Sequence, residues 1–230
     1  MSDLPGRARD LYDRLVDEYG EPVWRSHGSA MDELVLTMLS ANTNDVNSGR
    51  AFKRLMATFD ADWEAIRTAP LDEIKTAIRE AGMYNQKAPN IVKTLTMIKE
   101  ERGEYRLDFV AEMPAAEAAE YLTRFPGVGH KTASIVLLFC FNGAAFPVDT
   151  HVQRISRRVG ICGHKTGAAK VKQIWEDLLP PQTYYALHVN LIQHGRRTCD
   201  ARTPQCEGCC LQDICDYWLQ QGDWAQGREL

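Results

Sequence analysis

The sequence predicts an all-α fold. Apolar residues recur at helical spacing in nearly every segment. No run alternates apolar and polar with the period of two that a half-buried strand needs. Capping residues, prolines and glycines cut the chain into stretches of helical length.

The elements follow in order. Residues 7–19 carry Leu11, Leu15 and Val16 at helical spacing. A loop at 24–28 leads to Ser29, a candidate N-cap, and to a helix at 30–41 with the stripe Leu34, Val35, Met38 and Leu39. Asn42-Thr43-Asn44-Asp45 interrupts it, because short polar side chains bond their own backbone and favour turns. The next helix runs to about 59. Pro70 parts short helices at 62–69 and 71–81, and 82–85 is a turn. A longer helix at 86–102 has Ile91, Leu95 and Ile98 on one side. Residues 107–113 lead into the centre of the chain. Beyond the centre, helices are expected near 150–159, 167–179 and 184–198, the last two parted by Pro180-Pro181. The polar tail from Gly222 is expected to fray.

The centre is a pair of helices, 114–125 and 130–141, joined by Pro126-Gly127-Val128-Gly129. Both glycines can take φ > 0, so the backbone can double back there. Ala133, Ile135, Val136, Leu137, Leu138 and Phe139 are too continuous for one face, so the second helix should be buried nearly all round. Amides at the hairpin and at that helix's N-terminus would face outward and could hold a nucleic-acid phosphate. Lys131 lies in the first turn, where the helix dipole disfavours a cation by roughly 0.3–1 kcal/mol. Burial would disfavour the charged form further. A lysine so placed can form a Schiff base or bind phosphate as a point charge, and the hairpin alone favours the second. Asp149 reads as the N-cap of the helix at 150–159. Brought near Lys131, its carboxylate could accept a proton and stabilise positive charge. By itself it is an ordinary cap.

At 230 residues and 44% apolar, the chain can form one domain or two small ones. A net charge of −4 gives no global basic field for a nucleic acid. Local clusters remain: Arg154, Arg157 and Arg158 with Lys165 and Lys170, and Arg196 and Arg197 with Arg202. The first triplet shares a helix face, for which solvation is the simpler explanation. No signal-like apolar stretch opens the chain and none reaches transmembrane length, so an intracellular protein is expected, with no membrane partner. Its cysteines then read as metal ligands or buried thiols rather than disulfides. Cys199, Cys206, Cys209 and Cys215 form C-x6-C-x2-C-x5-C. A structural zinc site usually supplies two close pairs, whereas four thiolates from one short loop suit a cuboidal iron–sulfur cluster. Zinc stays as the alternative. Cys210 reads as a bystander, and Cys140 and Cys162 as idle or buried thiols.

Five motifs combine. They are Leu-Ser-Ala-Asn-Thr-Asn-Asp at 39–45, Gly-Met-Tyr-Asn at 82–85, Pro-Gly-Val-Gly-His-Lys-Thr-Ala at 126–133, Val-Asp-Thr-His at 148–151, and the four cysteines. Together they resemble the endonuclease III family of helix-hairpin-helix DNA glycosylases. The resemblance implies a two-domain fold. A six-helix domain would span 24–143. Residues 1–23 would join 144–230 in a domain carrying the iron–sulfur loop, with a DNA cleft between the two. It implies Lys131 as the Schiff-base lysine, Asp149 as the catalytic aspartate, and Cys199, Cys206, Cys209 and Cys215 as ligands of a 4Fe–4S cluster. Candidate DNA-binding residues are Asn42, Met83, Gly127, Val128, Gly129, His151 and Arg202, with Asn42 and Met83 entering the base stack from two sides. The implied activity is that of a bifunctional glycosylase and AP lyase. It would excise oxidised pyrimidines from double-stranded DNA and nick abasic sites by β-elimination. The protein would be a cytoplasmic, nucleoid-associated monomer. Two departures stand out. Asn42 occupies a position where the family usually has glutamine. The loop 200–205 is less basic than is typical, because Arg202 is its only cation and Asp200 offsets it. Two other readings compete: a non-catalytic DNA-binding or redox-sensing iron–sulfur protein, and a zinc-stapled helical module. Lys131 paired with Asp149 speaks against the first, since binding alone needs no carboxylate at a phosphate site.

Overall fold

Local capping sets several of the helix starts. In the computed structural model, which describes residues 3–220, Asp3 accepts the Gly6 N–H at 3.0 Å and α1 runs Leu4–Tyr19. It begins three residues before the expected start at Arg7, because the aspartate cap and Pro5 in the first turn are themselves a helix-start signal. Ser29 caps α2 (Ala30–Ser40), Asn44 caps α3 (Asp45–Thr58) and Asp62 caps α4 (Trp63–Thr68). The helix expected at 71–81 divides into α5 (Leu71–Ala77) and a 3-10 turn, Arg79–Ala81. The turn expected at 82–85 is shorter, since α6 already starts at Tyr84 and runs to Arg102. Another 3-10 turn, Asp108–Glu112, precedes α7 (Ala115–Thr123) and α8 (His130–Phe141). Pro114 stands just outside α7 as its N-cap. Then come α9 (Thr150–Arg158), α10 (Ala168–Leu178), α11 (Tyr184–Arg197) and a final turn, α12 (Asp216–Leu219). The fold is all-α, with no strand among the described residues. The tail from Gly222 lies outside them. No described helix is long and apolar enough to cross a membrane.

The chain divides into two compact units: Ser26–Gly143, and the two ends, Met1–Arg25 with Ala144–Leu230. In the first unit α8 packs on α2 and α7. It is buried almost all round, through Ala133, Val136, Leu137, Leu138 and Cys140, because its apolar run covers every face. In the second unit α11 packs on α1 and α9. Trp175 fills this core and donates its Nε1–H to Ser156 Oγ at 2.8 Å. The Phe146 ring stands edge-on to Tyr184 and His188.

Candidate active site

In the Ser26–Gly143 unit, the hairpin closes when the Val128 N–H donates to Phe125 O at 3.0 Å. Gly127 stands at φ +81°, left-handed backbone that glycine adopts without strain. A Cβ there would come within 2.8 Å of Asn90 Nδ2 on α6. Gly129 departs from expectation. It is extended, at φ −97°, and serves as the N-cap of α8. It brings no capping side chain to the first turn, and a Cβ on it would meet nothing within 4 Å. One glycine is therefore needed for its φ and the other leaves open space beside uncapped amides. The Val128 side chain is buried and its amide is engaged in the turn. Lys131 is exposed in the first turn of α8, so the helix terminus defines its surroundings and burial does not.

Asn42 and Met83 lie close together in the same unit. Asn42 occupies the turn after α2, closed by the Thr43 N–H on Ser40 O, at φ +53°. Met83 is the N-cap residue of α6 at φ +47°, with 46% of its surface exposed. Asn42 Nδ2 is 3.5 Å from Met83 Sδ. The two candidate intercalating side chains touch each other.

The second unit holds the remaining candidates. Asp149 caps α9, its Oδ1 accepting the Val152 N–H at 2.8 Å. No described residue donates to Oδ2. His151 is half-buried in its unit. Its Nδ1 meets Arg154 Nη2 at 3.0 Å, and the ring packs so closely on Gly195 that a Cβ there would clash. Arg202 is exposed, and its amide with that of Thr203 turns the loop around Asp200 Oδ1. Those two amides hold the Asp200 carboxyl below its ordinary range.

The triplet on α9 is neither a solvated face nor a free basic patch. Arg154 donates to Gly195 O and Cys199 O at 2.9–3.0 Å. Arg157 donates to Thr166 O at 2.7 Å. Arg158 is buried, donates to Asp200 O, Ala201 O and Cys199 Sγ, and stacks on the Tyr217 ring. Guanidinium forks are here organisers of the cysteine loop. Arg196, Arg197 and Arg202 stay exposed.

Cys199, Cys206, Cys209 and Cys215 line one pocket, and Cys210 does not line it. The Leu211 amide points at Cys209 Sγ at 3.4 Å, and His194 Nε2 lies 3.7 Å from the same sulfur. Burial pushes the Cys215 thiol up to about 11 and raises Cys206 as well. A bound metal would reverse that by stabilising thiolates. Among the described residues no group of three or more His, Cys, Asp or Glu side chains is arranged to hold a metal ion. A polynuclear cluster takes one thiolate per iron and so spreads its ligands. Four thiols around one cavity, with N–H donors aimed at two of the sulfurs, fit that donor set. Cys140 and Cys162 are buried elsewhere.

Comparison with known proteins gives concordant matches. The model of the HhH-GPD superfamily of base excision DNA repair proteins matches residues 35–181. The endonuclease III of Sulfolobus acidocaldarius is 34% identical over 221 residues, covering 92% of this chain and 96% of that protein. The endonuclease III of Escherichia coli K12 is 35% identical over 212 residues, covering 90% and 94%. A trapped covalent endonuclease III–DNA intermediate superposes with a TM-score of 0.81 at 28% identity, over 94% of this chain and 98% of that one.

Proposed function

Because the chain belongs to the endonuclease III family of HhH-GPD base excision DNA repair proteins, we propose that it excises oxidised pyrimidines from duplex DNA and nicks abasic sites, with Lys131 as the reacting amine and Asp149 as its carboxylate partner. The observation that carries this reading is Lys131 itself. It is an exposed amine in the first turn of an uncapped helix, two residues past an open glycine. The amides there would hold a phosphate beside the lesion, and the damaged nucleotide would leave the stack. Lys131 Nζ attacks the deoxyribose C1′, and the glycosidic bond breaks with its electron pair going to the base. Asp149, whose Oδ2 has no described protein donor, stabilises the positive charge developing at C1′. The ring opens to a Schiff base. Loss of a proton from C2′ then expels the 3′ phosphate by β-elimination.

Cys199, Cys206, Cys209 and Cys215 would hold a 4Fe–4S cluster. Such a cluster supplies a covalent brace for the loop and a one-electron centre. The glycosylase and lyase steps use the amine and the carboxylate alone. The site of action is the DNA of the cytoplasm.

The test is borohydride trapping on DNA with an abasic site. The wild type should form a covalent complex. Lys131→Gln should form none and should leave the strand intact, while binding DNA within about threefold of wild type, since a point charge at one phosphate contributes modestly. Undiminished strand cleavage by Lys131→Gln would overturn the assignment.

A further inference from the structure

One buried lysine has no part in the chemistry above. Lys87, in the first turn of α6, is only 6% exposed. Its Nζ donates to Leu39 O and to Ala81 O, each at 2.7 Å. Both acceptors are helix-end carbonyls: Leu39 lies in the last turn of α2, and Ala81 closes the 3-10 turn. Such carbonyls lack a helical N–H and carry partial negative charge, which favours a cation. The backbone N–H of Lys87 also donates to Met83 O at 3.0 Å. Leu39 precedes Asn42 by three residues, and Ala81 precedes Met83 by two. A single side chain thus binds the two segments that carry Asn42 and Met83, and its own amide fixes the second of them from the other side.

Three facts argue that this is more than filling. Burial pushes the Lys87 amine down from its ordinary range, so a methionine of similar volume would avoid a desolvation penalty. Asn42 and Met83 both sit at left-handed φ, a strained backbone held only where surrounding structure over-determines it. Their tips touch, at 3.5 Å. We propose that Lys87 is a positioning residue: it locks the 39–45 and 81–84 segments together, so that Asn42 and Met83 enter the duplex as one preassembled wedge. This rests on the reading of the chain as a base-flipping glycosylase. Without the staple, the two segments must be ordered on the DNA, and that ordering opposes flipping.

A wedge matters most where the lesion still pairs and stacks well, and least where no base remains. The experiment measures two rates for Lys87→Met: single-turnover excision of a well-paired lesion, and Schiff-base trapping on an abasic site. Excision should fall at least about tenfold, the scale of one lost charge-assisted bond, while trapping stays within about twofold. The same substitution in an Asn42→Gly/Met83→Gly background should cause no further loss of excision, because the wedge is already gone. A general loss of fold would reduce both rates alike. Equal loss on both substrates, no loss on either, or a full additional loss in the wedge-free background would overturn the proposal. If Lys87→Met does not fold, Lys87→Gln keeps two N–H donors on a stem one atom shorter and is read by the same pair of rates. Failure of the wild type to trap would instead overturn the glycosylase reading, so the two outcomes are distinguishable.

Discussion

Asn42 stands at φ +53°, and this bears on its departure from the glutamine usual at that place in the family. Asparagine tolerates left-handed backbone better than other side chains with a Cβ, and most others lose roughly 1 kcal/mol or more there. The extra methylene of glutamine, if buried in the stack, would return about 0.8 kcal/mol. The two effects nearly cancel. Asn42→Gln should therefore change excision of a well-paired lesion by less than about threefold. Asn42→Gly keeps the backbone conformation, loses the side chain, and should slow the same reaction several-fold while sparing abasic-site cleavage. Single-turnover rates on the two substrates measure both variants. A large gain with glutamine would mean that the turn relaxes to accept it. The left-handed φ was not legible in the sequence, because Asn-Thr-Asn-Asp marks a turn without saying which residue takes which φ.

On α9 the two ends do different work. Asp149 caps the first turn, and Arg154 and Arg158 grip the cysteine loop farther along. Asparagine caps as well as aspartate, so Asp149→Asn should keep the fold, with stability within about 0.5 kcal/mol by thermal melting. It should lower single-turnover excision by at least about a hundredfold if the carboxylate charge stabilises the transition state. Unfolding with near-normal specific activity would reduce Asp149 to a cap. The cap was readable because capping is local: Asp149 follows Pro147 and precedes an apolar-periodic run. So were the starts of α2, α4 and α8, each within a residue of its expectation. The roles of Arg154, Arg158 and Lys87 were not. Arginines at i and i+4 look alike whether they face water, phosphate or carbonyls, and the carbonyls here come from residues 41 to 45 positions away in sequence. The packing of His151 on Gly195 was hidden for the same reason, since Gly195 lies on a helix that meets it only in the fold.

Across the whole molecule, the cysteine loop joins elements that are far apart in the chain. Arg14 of α1 reaches Asp213 and Cys210 O, and Arg7 reaches Asp216 and Val159 O. Arg158 of α9 holds Asp200 and Ala201, while His194 of α11 lies between Tyr19 and Cys209. Every one of these ties belongs to the unit made of Met1–Arg25 and Ala144–Leu230, and none to Ser26–Gly143. The proposed cluster would therefore brace one unit. Its binding energy is folding energy for the segment that supplies the ligands, as for other thiolate-bound metals. Removing the metal should raise amide hydrogen exchange in α1, α9, α11 and the 199–215 loop. Protection in α2, α6 and α8 should persist until global unfolding. Cys206→Ser or Cys209→Ser should reproduce that pattern and abolish the visible absorption of the cluster. Cys210→Ser should do neither, because Cys210 does not line the cavity. Loss of colour with Cys210→Ser would change the ligand set. Exchange rising evenly through both units would show that the loop supports the molecule as a whole and not one unit.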